Sequence, residues 1–561
     1  MVYIEKYNQW LSNEYFDEET KNELKSLTDE KEIEDRFYTN LKFGTAGLRG
    51  KIGAGTNRMN KYTVSLATQG LAQTIVNKGK EAMDRGVAIA YDVRKYSKEF
   101  AEISARVLAA NGIKAYLFDD LRSTPLLSYT VRKLGCISGV VVTASHNPKD
   151  YNGYKVYWEE GSQILDNIAD EILNEISEIN SFSEVKLMDK DTAINNDLIK
   201  VIGQEIDDEY NSELLKMAIN EDIDKEINVV YSPLNGTGNI PVRRILKDRG
   251  FTKVTVVPEQ EKPDSNFTTV GYPNPEDPKA FAYAEKFGNE IGAELLIATD
   301  PDCDRVAIEV KNGNGYTFIN GNQTGALIVN YVLSSRNLKN NLPKNPAIVK
   351  SIVTGDLGKA IANKYGVKTF DTLTGFKNIC ALPNKWDITK EYEFILGYEE
   401  SIGYLYGSLV RDKDAVVTSM IIAEMAAYYK KQGKNLLAVL EEIYEEYGYY
   451  SEKLISIVLE GVEGQQKIKR IMEDIRHNPI ENVGGLHLVK TIDYLNDQTD
   501  AGKSDVLKYY LNDGSWYAIR PSGTEPKIKL YVYSIGETKV KSFEKIDLIE
   551  NTVRRRMEKV E

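Results

Sequence analysis

Residues 86–120 read "GVAIAYDVRKYSKEFAEISARVLAANGIKAYLFDD". An apolar, strand-like run comes first, and it is followed by a polar loop, an amphipathic helix pattern that closes at Gly112, and a second strand. Glycine suits the end of the helix because the residue after a helix often needs a positive φ. Strands that alternate with helices in this way predict parallel pairing and an α/β fold.

The same unit recurs twice, in residues 226–260 and 345–375, with helix patterns that close at Gly250 and Gly366. The three closing glycines are separated by domain-sized distances, which are too long for a solenoid. From about residue 452 the pattern changes to strands and a final charged helix, which predicts a smaller α+β domain. We therefore expect three related mixed-sheet α/β domains plus a smaller C-terminal α+β domain around a central cleft, with boundaries 1–200, 201–315, 316–450 and 451–561.

The composition is that of an ordinary globular protein with an acidic balance. The chain has 561 residues, of which 42% are hydrophobic, and a net charge of −13. This charge argues against nucleic acid or an anionic membrane as the main partner. The three cysteines lie far apart and show neither metal-site nor disulfide spacing. The N-terminus lacks the apolar core of a signal peptide, and no apolar run is long enough to span a bilayer. We expect a cytoplasmic protein.

An acidic loop lies between two apolar runs in "ELLIATDPDCDRVAIEV", residues 294–310. Asp300, Asp302 and Asp304 repel one another there, so the loop is predicted to hold a cation. Ligation by oxygen alone favours Mg²⁺ over Mn²⁺ or Ca²⁺. An EF-hand is excluded because its sixth position, which needs glycine, would be Arg305. A solvated acidic turn is the alternative.

A serine ends a second apolar run in "VVTASHNPKDYNGYKVY", residues 141–157. Ser145 is a candidate nucleophile because functional residues concentrate on loops at strand ends. The alternative is a plain turn, since Asn-Pro and Asn-Gly favour turns by themselves.

Three further loops carry residues suited to binding a ligand. The loop "RPSGTEPKIKLY", residues 520–531, offers a guanidinium, hydroxyls and backbone N–H groups for a phosphate. In "GYEESIGY", residues 397–404, a carboxylate and a hydroxyl alternate and suit vicinal sugar hydroxyls. The glycine-rich "FGTAGLRGKIGAG", residues 43–55, lets backbone approach a ligand closely at Arg49. Neither dinucleotide-site nor Walker A spacing is present.

The order T-A-S-H-N-P, D-P-D-x-D-R, G-x-E-E-S and R-P-S-G-T-E-P resembles the α-D-phosphohexomutase family. The resemblance covers nearly the whole chain, with one motif in each predicted domain. The opening F-G-T-A-G-L-R-G and the chain length are most similar to the phosphoglucomutase and phosphopentomutase branch.

The resemblance implies a role for each matched residue. Ser145 would carry phosphate, and Asp300, Asp302 and Asp304 would hold Mg²⁺ together with an oxygen of Ser145 or its phosphate. Lys413 would be the general base, because Gly403 stands where some relatives have histidine. The other matched residues would contact the reacting phosphate (Arg49, His146, Lys155, Arg305), the sugar hydroxyls (Glu399, Ser401), the distal phosphate (Arg520, Ser522, Gly523, Thr524) or the substrate through a loop of the third domain (Thr374, Gly375, Lys377).

The activity that the resemblance implies is that of an isomerase acting on a small-molecule sugar phosphate. A phosphoserine would donate its phosphate to the free hydroxyl of glucose 1-phosphate or glucose 6-phosphate. The resulting glucose 1,6-bisphosphate would turn over in the cleft and return a phosphate to Ser145. The resemblance leaves open whether the protein is a monomer or a homodimer.

Several alternatives remain open on the sequence. The preferred sugar could be a pentose or mannose phosphate. A haloacid-dehalogenase-like phosphatase would use Asp300 as its nucleophile, but it leaves Ser145 and the Arg520 loop without a role. A non-catalytic sugar-phosphate sensor would require the loss of a key residue, and none is missing.

Overall fold

The computed structural model describes residues 2–44, 47–459, 461–522 and 527–560. The chain divides into two compact units. The N-terminal unit comprises Met1–Gly321, Cys380–Lys390 and Ile402–Gln432, and the C-terminal unit comprises Asn322–Ile379, Glu391–Ser401 and Gly433–Glu561. Within the described ranges, no helix has both the length and the apolarity needed to cross a bilayer.

The first sheet of the N-terminal unit has six strands and is mixed. Four neighbouring strands run parallel, and two antiparallel strands complete one edge. The order across the sheet is Gly47–Lys51, Tyr151–Trp158, Ser138–Val142, Val87–Tyr91, Ala115–Phe118 and Ile199–Ile202.

The stretch 86–120 folds as its pattern predicts. All five residues of the strand Val87–Tyr91 are buried, as expected for a central parallel strand covered on both faces. The helix Ser97–Ala110 buries apolar residues at helical spacing, including Phe100, Ala101, Ala105 and Leu108. Gly112 follows the helix with a φ of 74°, and Gly250 and Gly366 have φ values of 97° and 68°. The prediction that glycine closes each of these helices is confirmed.

The second sheet of the N-terminal unit has five strands and is also mixed. Val229–Ser232 pairs in parallel with two neighbours, while Val306–Asn312 is antiparallel to both of its neighbours. The order across the sheet is Gly315–Ile319, Val306–Asn312, Leu295–Thr299, Val229–Ser232 and Val254–Val256.

Helices of the N-terminal unit pack on these sheets, as Ser97–Ala110 and Thr124–Leu134 do on Val87–Tyr91. A further strand, Gly403–Tyr406, forms a bridge to Arg305. The other helices are Val2–Ser12, Glu18–Lys25, Glu30–Phe37, Lys61–Asn77, Lys80–Arg85, Asp166–Ser177, Lys190–Asn195, Gln204–Leu215, Asn239–Asp248, Pro258–Glu261, Ala282–Ile291 and Ala415–Lys430, with 3₁₀ turns at Phe182–Glu184 and Pro278–Phe281.

The C-terminal unit contains three strands that pair in parallel and a separate antiparallel sheet. Pro346–Ser351 pairs in parallel with Lys368–Thr372 and with Glu393–Glu399. The antiparallel sheet has the order Tyr449–Val458, Lys527–Gly536, Trp516–Pro521, Leu507–Leu511, Leu486–Asp493 and Asn482–Val483. The helices are Leu357–Lys364, Leu436–Tyr447, Gly461–His477 and Lys539–Glu558, together with Gly321–Leu338 and Phe376–Thr389, which extend across unit boundaries.

The predicted fold class is confirmed. Mixed α/β sheets occupy most of the chain, and the smaller C-terminal region from Tyr449 onwards is an antiparallel sheet with two long helices. The four domain boundaries and the central cleft stay predictions.

Candidate active site

Three aspartates follow one strand of the second sheet. Asp300, Asp302 and Asp304 occupy the turn between Leu295–Thr299 and its antiparallel neighbour Val306–Asn312. Each aspartate is at most 1% exposed, and one oxygen of each lies within 4.8 Å of the others. The turn therefore gathers three buried carboxylates around one point.

The unsatisfied oxygens of this cluster fit a metal ion. Asp300 Oδ1 accepts the N–H groups of Asp304 and Arg305 at 3.1 and 3.0 Å. Asp302 Oδ1 and Asp304 Oδ1 are buried, yet they accept no hydrogen bond from any residue that the structure describes. Buried carboxylate oxygens are costly without a partner, and a hard divalent cation is the partner that an all-oxygen set prefers. The residues present could therefore hold such an ion.

The electrostatics of the cluster point the same way. Burial, followed by repulsion from Asp302 and Asp304, raises the pKa of Asp300 well above its ordinary value. Burial also acts to raise the pKa of Asp302, but Lys155 and other hydrogen-bond donors outweigh it and hold that pKa below its usual range. The repulsion that raises the pKa of Asp300 is one that a bound cation would relieve.

Ser145 lies against this cluster. It follows the strand Ser138–Val142 of the first sheet and adopts a left-handed φ of 51°. Its hydroxyl donates a hydrogen bond of 2.8 Å to Asp300 Oδ2 and lies 3.3 Å from His146 Nδ1. The structure thus brings the predicted phosphate carrier to the predicted metal cluster.

Arg49 and Lys155 approach from the edge of the first sheet. Their strands are antiparallel neighbours, with Arg49 opposite Gly153 and Lys155 opposite Gly47. Lys155 Nζ donates to Asp302 Oδ2 at 2.8 Å. Arg49 Nη1 donates to the side chain of Asn147 at 3.4 Å, in the same loop as Ser145. Strand pairing therefore places both cations beside the serine and the aspartates.

Lys413 approaches from the start of another helix. Asp414 caps Ala415–Lys430 by accepting two N–H groups of its first turn, which fixes the preceding lysine. Lys413 Nζ lies 2.9 Å from Asp304 Oδ2 and 2.9 Å from Asp412 Oδ1. Burial acts to lower the pKa of Lys413, but these two carboxylates outweigh it and raise that pKa above its ordinary value. Lys413 is therefore held as an ammonium group in this arrangement.

His146 and Arg305 complete this set of residues in the N-terminal unit. Burial, reinforced by Arg305 and Arg49, lowers the pKa of His146 well below its ordinary value, so the ring is neutral at pH 7. Arg305 lies beside the carboxylate cluster, with its Nε 3.8 Å from Asp304 Oδ1. A neutral imidazole can donate a hydrogen bond without adding charge.

A second set of predicted residues lies in the C-terminal unit. Glu399 is the last residue of one strand and Thr374 follows another, and both strands pair in parallel with Pro346–Ser351. The carboxyl ends of these strands therefore share one edge. Glu399 Oε1 accepts the N–H of Gly375 at 2.8 Å, and Arg520 Nη1 donates to Thr374 Oγ1 at 2.7 Å. The Thr374–Gly375 turn thus links the predicted sugar-binding carboxylate to the predicted phosphate-binding guanidinium.

The remaining predicted residues lie near these. Lys377 is in the first turn of Phe376–Thr389, and Ser401 follows Glu399 just beyond the strand end. Ser522 donates its N–H to the carbonyl of Lys527 at 2.8 Å. Gly523 and Thr524 lie outside the described residues.

The Ser145 loop is supported by residues that none of the sequence motifs indicated. Arg94 and Asp92 lie just beyond the strand Val87–Tyr91, which is the parallel neighbour of Ser138–Val142. Thr143 connects them to the serine, because its hydroxyl donates to Asp92 and accepts the N–H of Ser145. The polar pair at the end of the opening strand, in "AYDVRK", was the signal that could have identified them.

Comparison with known families matches the chain in four consecutive segments. The models are those of phosphoglucomutase/phosphomannomutase: alpha/beta/alpha domain I matches residues 40–182, domain II 208–313, domain III 320–447 and the C-terminal domain 462–544.

Curated relatives and solved structures agree. A phosphoglucomutase of Staphylococcus aureus (strain N315) is 37% identical over 546 residues, which cover 95% of this chain and 94% of the relative. A phosphoglucomutase of Staphylococcus epidermidis is 38% identical over 537 residues, covering 94% and 96%. Parafusin (phosphoglucomutase) from Paramecium, in its open form, has the same fold, with a TM-score of 0.70, 19% identity and coverage of 93% of this chain and 95% of that chain. The chain therefore belongs to the phosphoglucomutase/phosphomannomutase family, the α-D-phosphohexomutases, and is a phosphosugar mutase, an intramolecular phosphotransferase.

Proposed function

We propose that this mutase interconverts glucose 1-phosphate and glucose 6-phosphate through a phosphoserine at Ser145 and a glucose 1,6-bisphosphate intermediate. The observation that carries the proposal is the 2.8 Å contact between the Ser145 hydroxyl and Asp300, inside a cluster of buried carboxylates. The choice of glucose is supported by the phosphoglucomutases that are 37% and 38% identical over most of the chain.

The metal of this proposal is Mg²⁺, held by Asp300, Asp302, Asp304 and an oxygen of Ser145 or its phosphate. Bound there, the ion would neutralise charge on the transferring phosphoryl group. Hard oxygen ligands favour Mg²⁺ over softer transition metals. The two buried oxygens without partners among the described residues, on Asp302 and Asp304, support this assignment.

The chain's own cations orient the phosphate. Arg49 presents a planar fork of donors that matches two phosphate oxygens, and Lys155 adds a point charge. Arg305 supplies a second guanidinium beside the metal cluster. His146 is neutral and lies next to the Ser145 hydroxyl, so it donates or accepts a hydrogen bond without repelling these cations.

Lys413 is the proposed general base. The hydroxyl that attacks the phosphoserine must lose a proton, and a positioned side chain accelerates that transfer. A lysine accepts this proton only as a neutral amine, whereas Asp304 and Asp412 favour its ammonium form and raise its pKa. A cation held by Asp304 would take up one of these two carboxylates, so the proposed role as base belongs to the metal-loaded enzyme. The ammonium group formed in this way returns the proton when the bisphosphate gives a phosphate back to Ser145.

The C-terminal unit supplies the proposed grip on the sugar. Glu399 and Ser401 hold the sugar hydroxyls, while Thr374, Gly375 and Lys377 form the neighbouring loop. The distal phosphate is assigned to the Arg520 loop, whose further members are Ser522, Gly523 and Thr524. The hydrogen bonds from Gly375 to Glu399 and from Arg520 to Thr374 support a single preorganised surface.

We place the enzyme in the cytoplasm, as a monomer or a homodimer. Its three cysteines are buried and unpaired, which fits a reducing compartment.

Side-by-side kinetics test the choice of sugar. The purified enzyme is assayed with Mg²⁺ and a trace of the matching bisphosphate on glucose 1-phosphate, mannose 1-phosphate and ribose 1-phosphate. The proposal expects the highest kcat/KM on glucose 1-phosphate. A higher value on mannose 1-phosphate or ribose 1-phosphate would assign the enzyme to the phosphomannomutase or phosphopentomutase activity of the same family.

A further inference from the structure

One buried arginine holds the Ser145 loop from inside. Arg94 Nη2 donates to the carbonyl oxygens of Ser145 and Asn147, each at 2.5 Å. Its Nη1 donates to the carbonyl oxygens of Pro148 at 2.8 Å and Tyr151 at 3.0 Å. Three of these carbonyls belong to the loop that follows Ser138–Val142, and the fourth belongs to Tyr151, the first residue of the next strand. One planar guanidinium therefore sets the path of the backbone from Ser145 to that strand.

The charge of this arginine is already balanced. Arg94 Nε lies 3.4 Å from Asp92 Oδ2, and both side chains are fully buried. The same carboxylate oxygen accepts the hydroxyl of Thr143 at 2.6 Å, and that hydroxyl accepts the N–H of Ser145 at 2.8 Å. The guanidinium also packs over the ring of Phe267, 5.1 Å from its centroid. Because Asp92 offsets its charge, Arg94 acts mainly through geometry.

That geometry matters because the serine is strained. The left-handed conformation of Ser145, with a φ of 51°, is sterically disfavoured for an L residue. Hydrogen bonds to a charged donor offset such a cost. Lysine could not replace the arginine, because its three donors share one nitrogen whereas the guanidinium spreads five over a rigid fork.

We propose that Arg94 is a positioning residue for phosphoryl transfer: it fixes the Ser145 loop so that the hydroxyl stays directed at the Asp300 cluster. The inference rests on the proposed phosphoserine function. The side-chain hydrogen bonds that the structure describes for Arg94 end on backbone carbonyls of residues 145–151. Its effect therefore reaches the reacting atoms through Ser145. A misplacement of about 1 Å at a reacting group can cost about a hundredfold in rate.

The test compares Arg94→Lys with the wild type in steady-state and single-turnover assays. The expected result is a kcat lowered about a hundredfold with a KM for glucose 1-phosphate within about threefold, since the sugar-binding residues are unchanged. Phosphoenzyme prepared with glucose 1,6-bisphosphate should discharge to glucose 6-phosphate correspondingly more slowly. Arg94→Gln, which also lacks the guanidinium fork, should be slowed as well. In Arg94→Ala, free guanidinium ions added to the assay should restore part of the rate.

The matched control is Arg58→Lys. Arg58 is also 3% exposed, but its guanidinium pairs with Glu32 and Asp35 of the helix Glu30–Phe37, which contributes no residue to the proposed site. Its replacement should therefore lower stability without lowering kcat per folded molecule. Wild-type kcat in folded Arg94→Lys, or equal loss in both variants, would overturn the inference while leaving the proposed function intact. A wild-type enzyme that neither turns over nor acquires phosphate on Ser145 would instead overturn the proposed function.

Discussion

The hydroxyl of Ser145 lies 2.8 Å from Asp300 Oδ2, although the two residues are 155 positions apart in the chain. Each follows a strand of a different sheet in the N-terminal unit. Functional residues commonly lie at the carboxyl ends of strands in α/β folds. The contact gives the proposed phosphoryl carrier and the carboxylate cluster one shared location, and the proposed chemistry depends on it.

Removing charge from the carboxylate cluster should abolish activity and the response to metal. In the variant Asp300→Asn with Asp302→Asn, two oxygens of the predicted ligand set lose their charge, so turnover should fall by at least about a thousandfold. Mg²⁺ should raise the melting temperature of the wild type measured after EDTA treatment, and it should not raise that of the variant. Asp170→Asn, on an exposed helical surface, serves as the control. Wild-type turnover of the double variant in EDTA would refute the metal assignment.

The role of Lys413 in proton transfer can be tested separately from the role of its positive charge. Lys413→Met should lower kcat by about 10²–10⁴-fold, because a proton acceptor is lost. Lys413→Arg keeps the positive charge beside Asp304 but cannot give up a proton at accessible pH, so it should be nearly as slow. Comparison of kcat for the two variants decides. If Lys413→Arg keeps most of the wild-type rate, the residue contributes charge alone and the general base lies elsewhere.

Glu399 should act on the sugar and leave the serine chemistry intact. Glu399→Gln weakens hydrogen bonds to a charged acceptor, so kcat/KM for glucose 1-phosphate should fall by about 10–100-fold. Ser145 should still be phosphorylated in the purified variant. Glu393→Gln, at the exposed start of the same strand, is the control and should retain the wild-type kcat/KM. Equal kinetics in the two variants would remove Glu399 from the sugar site.

The buried carboxyl group of Glu309 should make the stability of the folded protein depend on pH, independently of catalysis. Burial, followed by repulsion from Glu285, raises its pKa to about 8. Between pH ~4.5 and ~8, the folded protein therefore holds a proton that the unfolded chain releases, so its stability falls as the pH rises through that window. The contribution is at most about 1.4 kcal/mol per pH unit.

The variant Glu309→Gln removes this dependence. It should melt at a higher temperature than the wild type at pH 9, with a difference that shrinks as the pH falls towards 5. Turnover should be unchanged, since this side chain lies outside the proposed site. A difference in melting temperature between the two proteins that stays constant from pH 5 to pH 9 would contradict the raised pKa of Glu309.

The sequence predicts individual helices, strands and loops of this molecule better than it predicts which of them lie next to each other. The strand–helix–strand pattern of residues 86–120 and its closing glycine are local properties, and so is the repulsion that marks Asp300, Asp302 and Asp304 as a cation site. The support of Ser145 by Arg94 is not local. It depends on the strand Val87–Tyr91 lying next to Ser138–Val142, an adjacency that periodicity alone does not encode.

The same limit applies to Arg49 and Lys155. Their resemblance to family motifs marked them as site residues, yet their meeting depends on antiparallel pairing between strands about a hundred positions apart. The division of the chain into two units was also not predicted from the sequence. It cuts through the predicted third domain, assigning Cys380–Lys390 and Ile402–Gln432 to the N-terminal unit.

The central claim is that Ser145 carries the phosphate, and mass spectrometry of the peptide spanning residues 141–157 tests it most directly. Protein purified from cells should contain a fraction with one phosphate on Ser145, which glucose 6-phosphate discharges and a trace of glucose 1,6-bisphosphate restores. Ser145→Ala should lack the phosphate and nearly all activity, because a covalent route has no substitute nucleophile. Phosphate found only on Asp300, with activity retained in Ser145→Ala, would contradict the account and indicate a phosphatase; an unlabelled protein that binds sugar phosphates without turnover would contradict it as well and indicate a sensor.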